Sequence, residues 1–492
     1  MSSAISIVPS LIGKDWEKIK TKEYTKVYNP ATGEVISKTP MLTSIDVSKA
    51  IKSAKTAFFK WSTEPATKRA NIMHNYRSLL KKNFNEIAEL ISTENGKTII
   101  EAKGDIQRGF EVVEYACGIA EHQKGESLSQ VAENIDALTV REPLGVCAGI
   151  SPFNFPAMVP MWMFPIAIAC GNTFVLKPSE KVPLTAVMLV ELLQKAGLPD
   201  GVMNLVHGGK EVVDTLCTHP DISAISFVGS STIAKYVYNL GSSNGKRVQA
   251  GGAAKNALVV MPDADPDSTL RAVMSASFGC AGQRCMAGSL LIGVGEIAKP
   301  LKEKLIDAMN NLKVGAPLLE PDINMGPVID KVSQDRITSI IDNVSKEVNL
   351  ERDGRDLLKN EGFYVGPTLF SDVLPDTSIF KQEVFGPVLS MMNPNDLSQA
   401  ISWINQLNYG NGSSIFTQSG AAAKEFKSRI NCGMIGINVG VPAPMSMFPF
   451  SGWNDSFYGD LHMQGNEGVQ FYTRQKVTLS RWDNTYDNKS GW

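Results

Sequence analysis

Apolar positions recur at helical spacing from Ser44 to about Lys124, and at strand spacing beyond Leu144. Within residues 105–122, Ile106, Phe110, Val113 and Cys117 mark one apolar face, and Val112, Tyr115 and Ile119 mark another. A helix apolar on two sides is one buried between other elements. Gly125 to Arg141 is short, polar and extended, and predicts a hairpin leaving the main body.

From Leu144 onward, strands alternate with helices. The pattern predicts strands at Leu144–Ile150, Thr173–Lys177, Val202–His207, Ala224–Val228 and Arg247–Ala250. Helices fall between them near Val182–Lys195, Lys210–Cys217 and Ser231–Leu240. This alternation predicts an open parallel sheet in an α/β layer. Ala257–Met261 opens a second series, with strands near Ser289–Gly293, Val388–Met392, Ser413–Thr417 and Met434–Asn438. After Phe448 the chain reads as extended and rich in aromatics, and no internal repeat is found.

Length agrees with two such units. The chain has 492 residues, and single cores stop growing at about 250–300 residues. A net charge of -2 supplies no basic field for nucleic acid or an anionic membrane. The longest apolar run, Phe155 to Cys170, contains Pro156, Pro160 and Pro165 and falls short of a membrane span. Met1 to Asp15 lacks the regions of a signal peptide, and seven scattered cysteines suit a reducing compartment, so the expected location is the cytoplasm. No CxxC or HExxH occurs and the five histidines are scattered, so no metal site is expected.

Several loops carry candidate chemistry. Asp265-Pro266 is a helix start, an N-cap acid followed by proline at the first helical position. That helix runs into Gly279-Cys280-Ala281-Gly282-Gln283-Arg284-Cys285. A cysteine past a helix end, in a glycine-containing loop beside an arginine, has the backbone freedom and positive field that favour thiolate. The plain alternative is a buried structural cysteine, the reading given to Cys280. Asn154, in the first loop after a strand, could donate to an oxyanion or serve only as a turn residue. Lys177-Pro178-Ser179-Glu180 ends another strand, where lysine and glutamate suit ribose hydroxyls or simply a solvated turn. Gly229-Ser230 enters a helix whose free N–H groups can carry a phosphate. A full GxGxxG fingerprint is absent.

Taken in order, Pro-Phe-Asn-Phe-Pro (152–156), Leu-Lys-Pro-Ser-Glu (176–180), Ser-Phe-Val-Gly-Ser-Ser (226–231), Gly-Gln-Arg-Cys (282–285) and Glu-Val-Phe-Gly-Pro (383–387) resemble the aldehyde dehydrogenase superfamily from Asp15 to Trp482. The resemblance implies an α/β fold with two open parallel-sheet domains and a small β oligomerisation extension. It places an NAD-binding domain at 1–124 and 144–253, a catalytic domain at 254–448, and the extension at 125–143 and 466–492. It makes Cys285 the nucleophile and Asn154 an oxyanion donor beside the Cys285 N–H. It assigns Phe153, Lys177, Ser179 and Glu180 to NAD, with Gly229 and Ser230 at the pyrophosphate and Glu383 and Phe385 at the nicotinamide side. A carboxylate at Glu180 would repel a 2′-phosphate, which favours NAD over NADP. It also implies a homo-oligomer, a dimer or tetramer.

One departure narrows the reading. Hydrolytic members carry Glu-Leu-Gly-Gly-Lys, whose Glu activates water. Counting back from Lys255, that position is Gly251, and no carboxylate stands in the strip 249–255. The pattern resembles the CoA-acylating methylmalonate-semialdehyde dehydrogenase branch, which implies coenzyme A as co-substrate and a small semialdehyde bearing a carboxylate. Arg284 and Arg108 match the branch's carboxylate binders, although Arg108 could instead pair within its helix with Asp105 or Glu111. Two other readings are a hydrolytic semialdehyde dehydrogenase using another base, and a non-catalytic homologue that only binds nucleotide. Intact Cys285, Asn154 and Glu383 count against the last.

Overall fold

The computed structural model describes residues 5–320, 322–358 and 361–482. Five parallel strands, Val146–Ile150, Thr173–Lys177, Met203–Leu205, Ile222–Val228 and Arg247–Gly251, form the centre of an eight-stranded sheet. Short antiparallel strands flank it, Ser10–Ile12 and Asp15–Glu17 on one edge and Phe457–Tyr458 on the other. Val146–Ile150 and Thr173–Lys177 are buried throughout, as the apolar runs of a sheet covered on both faces require. One face packs against the helices Ile99–Cys117 and Met158–Ala169, and the other against Ser44–Trp61 and Ser231–Ser243. Ile99–Cys117 is the helix apolar on two sides, with Ile106, Phe110, Val112 and Val113 all buried. Gly109 gives it close approach to Met161, because a Cβ there would stand 2.3 Å from that side chain.

The spatial order of the central strands is third, second, first, fourth, fifth in chain terms, so it reverses between Val146–Ile150 and Ile222–Val228. Such a switch point leaves a crevice at the carboxyl ends of the strands. Register brings those ends level: Ile150 opposite Lys177 and Phe227, and Val228 opposite Gly251. The loops after all four strands therefore open along one edge.

The second sheet has seven strands, in the order Asn349–Arg352, Thr368–Ser371, Val388–Met392, Gly288–Gly293, Asn256–Val260, Gly412–Phe416, Met434–Ile437. All pairings are parallel except that of the edge strand Asn349–Arg352. Its core includes Leu258, Leu291, Ile292, Phe370, Leu389 and Phe426. The connection 252–255 leads directly from the first sheet to the second.

A three-stranded antiparallel sheet combines the hairpin Ser127–Ala132 and Ile135–Pro143 with Thr473–Arg481. Its residues are largely exposed, including Leu128, Leu138, Val477 and Leu479. Met158–Ala169 and Gly465–Phe471 are among the helices that the sequence reading left unassigned or took as extended. Met158–Ala169 is a fully buried helix with Pro165 inside it, and uniform burial erases the periodicity that would announce it. Gly465–Phe471 interrupts the expected extended stretch and buries Val469, Phe471 and Tyr472 in the first core. Residues 483–492 of the expected extension lie outside the described residues.

Candidate active site

Cys285 sits on an elbow built by backbone geometry. The helix Pro266–Phe278 starts as its sequence requires, with Asp265 Oδ1 accepting from the Ser268 N–H at 2.8 Å. Beyond it, Cys280, Ala281 and Gly282 take positive φ values of 52°, 51° and 69°. For Cys280 and Ala281 that conformation stores strain of about 1–3 kcal/mol each, the kind of cost found at functional turns. At Gly282 only glycine fits, because a Cβ would lie 2.1 Å from the Gly386 carbonyl oxygen.

Side-chain amides then fix the elbow. Asn256 Nδ2 donates to the carbonyls of Cys285 and Ala287, both at 2.9 Å. Asn411 Nδ2 donates to the same Cys285 carbonyl at 2.9 Å. Gln283 Oε1 accepts from the Ile329 N–H at 3.0 Å. Asn154, buried after the first central strand, donates to the Gln283 carbonyl at 3.0 Å. A carboxamide carries two N–H donors, so Asn154 retains one for a ligand. Its loop is held in turn by Asn95, whose Nδ2 donates to the Phe153 carbonyl at 2.8 Å. Reading the sequence singled out Asn154 but not Asn95, Asn256 or Asn411, and met Gln283 only within a motif. A lone asparagine carries no signal until the fold brings it to a carbonyl.

Cys285 lines two cavities. One, of about 440 Å3, occupies the crevice at the switch point. It brings together Phe153, Asn154, Lys177, Ser179, Glu180, Gly229, Ser230, Glu383 and Phe385, together with Arg336. Lys177 Nζ lies 3.0 Å from Glu180 Oε2. Burial opposes ionisation of Glu180, yet Lys177 beside it holds the carboxyl below its ordinary range. Gly229 lies at the entry to the helix Ser231–Ser243, where a Cβ would stand 2.6 Å from the Phe227 ring. A helix N-terminus approached by bare backbone fits a pyrophosphate, so these residues suit a dinucleotide. Phe153 and Phe385 meet edge to face, with centroids 5.8 Å apart.

The other cavity, of about 420 Å3, is walled by Phe155, Trp162, Met286 and Phe450 and contains Arg108 and Arg284. Arg284 has room because Gly279 lacks a Cβ, which would otherwise lie 2.5 Å from the guanidinium. Its Nη2 stands 3.5 Å from Glu101, and its buried Nε has no hydrogen-bond partner among the described residues. Glu101 also accepts from the Cys280 N–H at 2.6 Å and the Thr98 N–H at 3.0 Å, joining the helix Ile99–Cys117 to the elbow. Arg108 pairs with Glu111 at 3.1 Å, the intrahelical alternative, and also donates to the Ala443 carbonyl at 3.2 Å. Asp105 is not its partner; it forms a buried pair with Lys97 at 2.8 Å.

The electrostatics of the thiol differ from the sequence expectation. Burial pushes Cys285 up to about 12, the Glu383 carboxylate adds to the rise, and Arg284 offsets it only weakly. Glu383 accepts from the Ala254 N–H at 2.9 Å, and burial pushes it up to about 7. Arg284, next to Cys285 in sequence, spends its charge on Cys280 and Glu101, so adjacency alone does not make a thiolate.

This chain belongs to the aldehyde dehydrogenase family: the model of the Aldehyde dehydrogenase family matches residues 16–478. Among its relatives, it is 47% identical over 475 residues to a malonate-semialdehyde dehydrogenase of Halalkalibacterium halodurans, covering 96% of this chain and 98% of that one. It is 49% identical over 484 residues to malonate-semialdehyde dehydrogenase 1 of Geobacillus kaustophilus, covering 97% and 98%. In structure it is similar to the methylmalonate-semialdehyde dehydrogenase of Oceanimonas doudoroffii, with a TM-score of 0.96 at 42% identity over 98% of this chain and 99% of that one. It is equally similar to a Sinorhizobium meliloti protein assigned as a methylmalonate-semialdehyde dehydrogenase and complexed with NAD, with a TM-score of 0.96 at 44% identity, covering 98% and 99%. Among the described residues, no helix is long and apolar enough to cross a membrane.

Proposed function

We propose that this protein oxidises malonate semialdehyde and methylmalonate semialdehyde with NAD, with loss of CO2, and transfers the remaining acyl group to coenzyme A. The observation that carries this reading is the position of Cys285, which lines both a cavity containing Arg108 and Arg284 and a crevice shaped for a dinucleotide. The names of the relatives supply the semialdehyde class. Gly251, where hydrolytic members carry their base, supplies the preference for a thiol over water. The Lys177–Glu180 pair at a strand end supports NAD, because a 2′-phosphate would meet the Glu180 carboxylate.

Cys285 sulfur bonds to the aldehyde carbon, and the carbonyl π pair becomes an oxyanion that accepts from Asn154 and from the Cys285 N–H. Arg284 and Arg108 hold the substrate carboxylate in the aromatic-walled cavity and so orient the aldehyde toward the sulfur. NAD held by Phe153, Lys177, Glu180, Glu383 and Phe385 in the crevice would supply the hydride acceptor, and loss of hydride from the thiohemiacetal carbon leaves a thioester on Cys285. The carboxylate β to that thioester then leaves as CO2, with the bonding pair delocalised into the thioester as an enolate that takes up a proton at carbon. The CoA thiol attacks the thioester, the C–S bond to Cys285 breaks, and the proton of the CoA thiol passes to the departing Cys285 sulfur, which restores the neutral thiol. The products are acetyl-CoA from malonate semialdehyde and propionyl-CoA from its methyl homologue.

The same reading includes a cytoplasmic homo-oligomer, a dimer or tetramer. Its support is the small sheet of 127–143 and 473–481, whose apolar residues face outward.

The test is to mix enzyme, NAD and methylmalonate semialdehyde without CoA. A burst of NADH close to one per active site, followed by a much slower phase, is the expected result, because the acyl-enzyme accumulates. Added CoA restores turnover and yields propionyl-CoA. Rapid CoA-independent turnover to free acid would overturn the proposal in favour of a hydrolytic semialdehyde dehydrogenase.

A further inference from the structure

A neutral thiol must lose a proton when it attacks a carbonyl, and Gly251 leaves this chain without the family's usual carboxylate near the sulfur. The remaining acids around Cys285 differ in what already occupies them. Glu101 is held by two backbone N–H groups and Arg284, Glu111 by Arg108, Asp105 by Lys97 and the Met158 N–H, and Glu180 by Lys177. Glu383 lines the crevice together with Cys285 and accepts one hydrogen bond among the described residues, from Ala254 to Oε1. Lys255, next along the chain from Ala254, is 3% exposed, and its Nζ has no hydrogen-bond partner among the described residues.

We infer that Glu383 takes the proton of Cys285 as the sulfur attacks, and that the buried amine of Lys255 is the positioning residue that keeps Glu383 available for it. The S–H bond breaks and an O–H bond forms on Glu383, directly or across one water. The sulfur pair makes the S–C bond, and the carbonyl π pair moves to oxygen. Glu383 then releases the proton to water in the crevice it lines. An unpartnered buried ammonium is costly, and at this position its service is to Glu383.

The charges facing these groups come from several elements. Lys255 on the connection 252–255, Arg336 on the helix Lys331–Val344, Tyr409 and Cys285 act on Glu383; Glu383 and Arg284 act on Cys285. Burial pushes Glu383 up to about 7 and Lys255 down to about 7, while the charge of each favours the ionised form of the other. The acceptor is the carboxylate, which forms as pH rises through about 7. Removing the Lys255 charge raises the proton affinity of Glu383, so the rise in reactivity moves to higher pH.

The inference rests on Cys285 being the nucleophile but on no other part of the proposed reaction. The experiment is therefore run on cofactor-free enzyme, without aldehyde or CoA. The rate of iodoacetamide alkylation at Cys285 is followed by peptide mass spectrometry from mildly acidic to mildly alkaline pH. In the unaltered enzyme the rate climbs through pH about 7. Glu383→Gln removes that climb and slows labelling at mildly alkaline pH on the order of a hundredfold. Equal or faster labelling of Glu383→Gln would overturn the inference, because a carboxylate that merely repels the thiolate would, once removed, speed the reaction. Lys255→Met, which puts an apolar chain of similar length in a site with no partner for the amine, moves the midpoint to higher pH. An unmoved midpoint overturns the role of Lys255, and Lys255→Gln carries the same test should the methionine variant fail to fold. Cys285→Ala, which abolishes labelling of that peptide and all dehydrogenation, checks the nucleophile separately. Its failure would remove the foundation of the proposed function itself.

Discussion

Arg284 illustrates how a single residue acquires its role. In sequence it is the neighbour of a cysteine and a match, by resemblance, to a carboxylate binder. In the structure its guanidinium fills the space left by Gly279, leans on Glu101 and keeps a buried, unpartnered Nε. The side chain also lines the aromatic-walled cavity together with Arg108, where both guanidinium groups can meet a substrate carboxylate. Arg284→Leu and Arg108→Leu are therefore expected to weaken reaction with carboxylated semialdehydes by about 1.5–3 kcal/mol, roughly ten- to hundredfold in kcat/KM. Propanal, which has no carboxylate, should lose far less. Steady-state kinetics with both aldehydes check this, and equal losses would assign the arginines to structure. At this scale the sequence singled out Cys285, Asn154 and the two arginines as candidates. It did not reveal that the thiol is pushed up to about 12, because burial, the first cause of that rise, is a property of the packed site.

Among elements, the elbow between the helix Pro266–Phe278 and the strand Gly288–Gly293 has the tightest geometry in the site. Its helix start was legible because Asp265 and Pro266 act locally, through a cap hydrogen bond and a fixed φ. The turn at its other end depends on a distant partner, the Glu383–Pro387 loop, which presses the Gly386 carbonyl against Gly282. Gly282→Ala brings a Cβ into that carbonyl at a positive φ, and should destabilise the protein by about 1–3 kcal/mol. It should also separate the Cys285 elbow from the loop that carries Glu383 and Phe385. The expected outcome is a lower Tm together with a fall in kcat larger than that loss of folded protein explains. Unchanged Tm and kcat would mean the two loops yield without consequence. The helix Met158–Ala169 was hidden for a different reason: with every residue buried it has no polar face, and periodicity reports only contrast between faces.

On the scale of the whole molecule, two largely parallel sheets meet through the short connection 252–255, and Cys285 from the second lines the crevice of the first. The third sheet stands apart, with Leu128, Leu138, Val477 and Leu479 turned outward and Thr473–Arg481 as an edge strand. Bare apolar edges of this kind pair with something, and the partner proposed here is a second copy of the chain. Replacing both Val477 and Leu479 with Glu should shift the protein to a smaller species in size-exclusion chromatography with light scattering. A monomer already present in the unaltered protein at micromolar concentration would refute the oligomer.

The sequence by itself determined the local matters. It set the alternation of strand and helix, the N-cap of the helix Pro266–Phe278, and the ordered motifs that carry Asn154, Lys177, Glu180, Gly229, Cys285 and Glu383, because each depends on neighbours a few residues away. Tertiary structure alone decided that Asn256 and Asn411 clamp the Cys285 carbonyl, that Glu101 ties a helix to the elbow, and that Lys255 lies buried beside Glu383. Those contacts join residues far apart in the chain, and their energies come from burial and direction, which exist only once the two sheets have packed together.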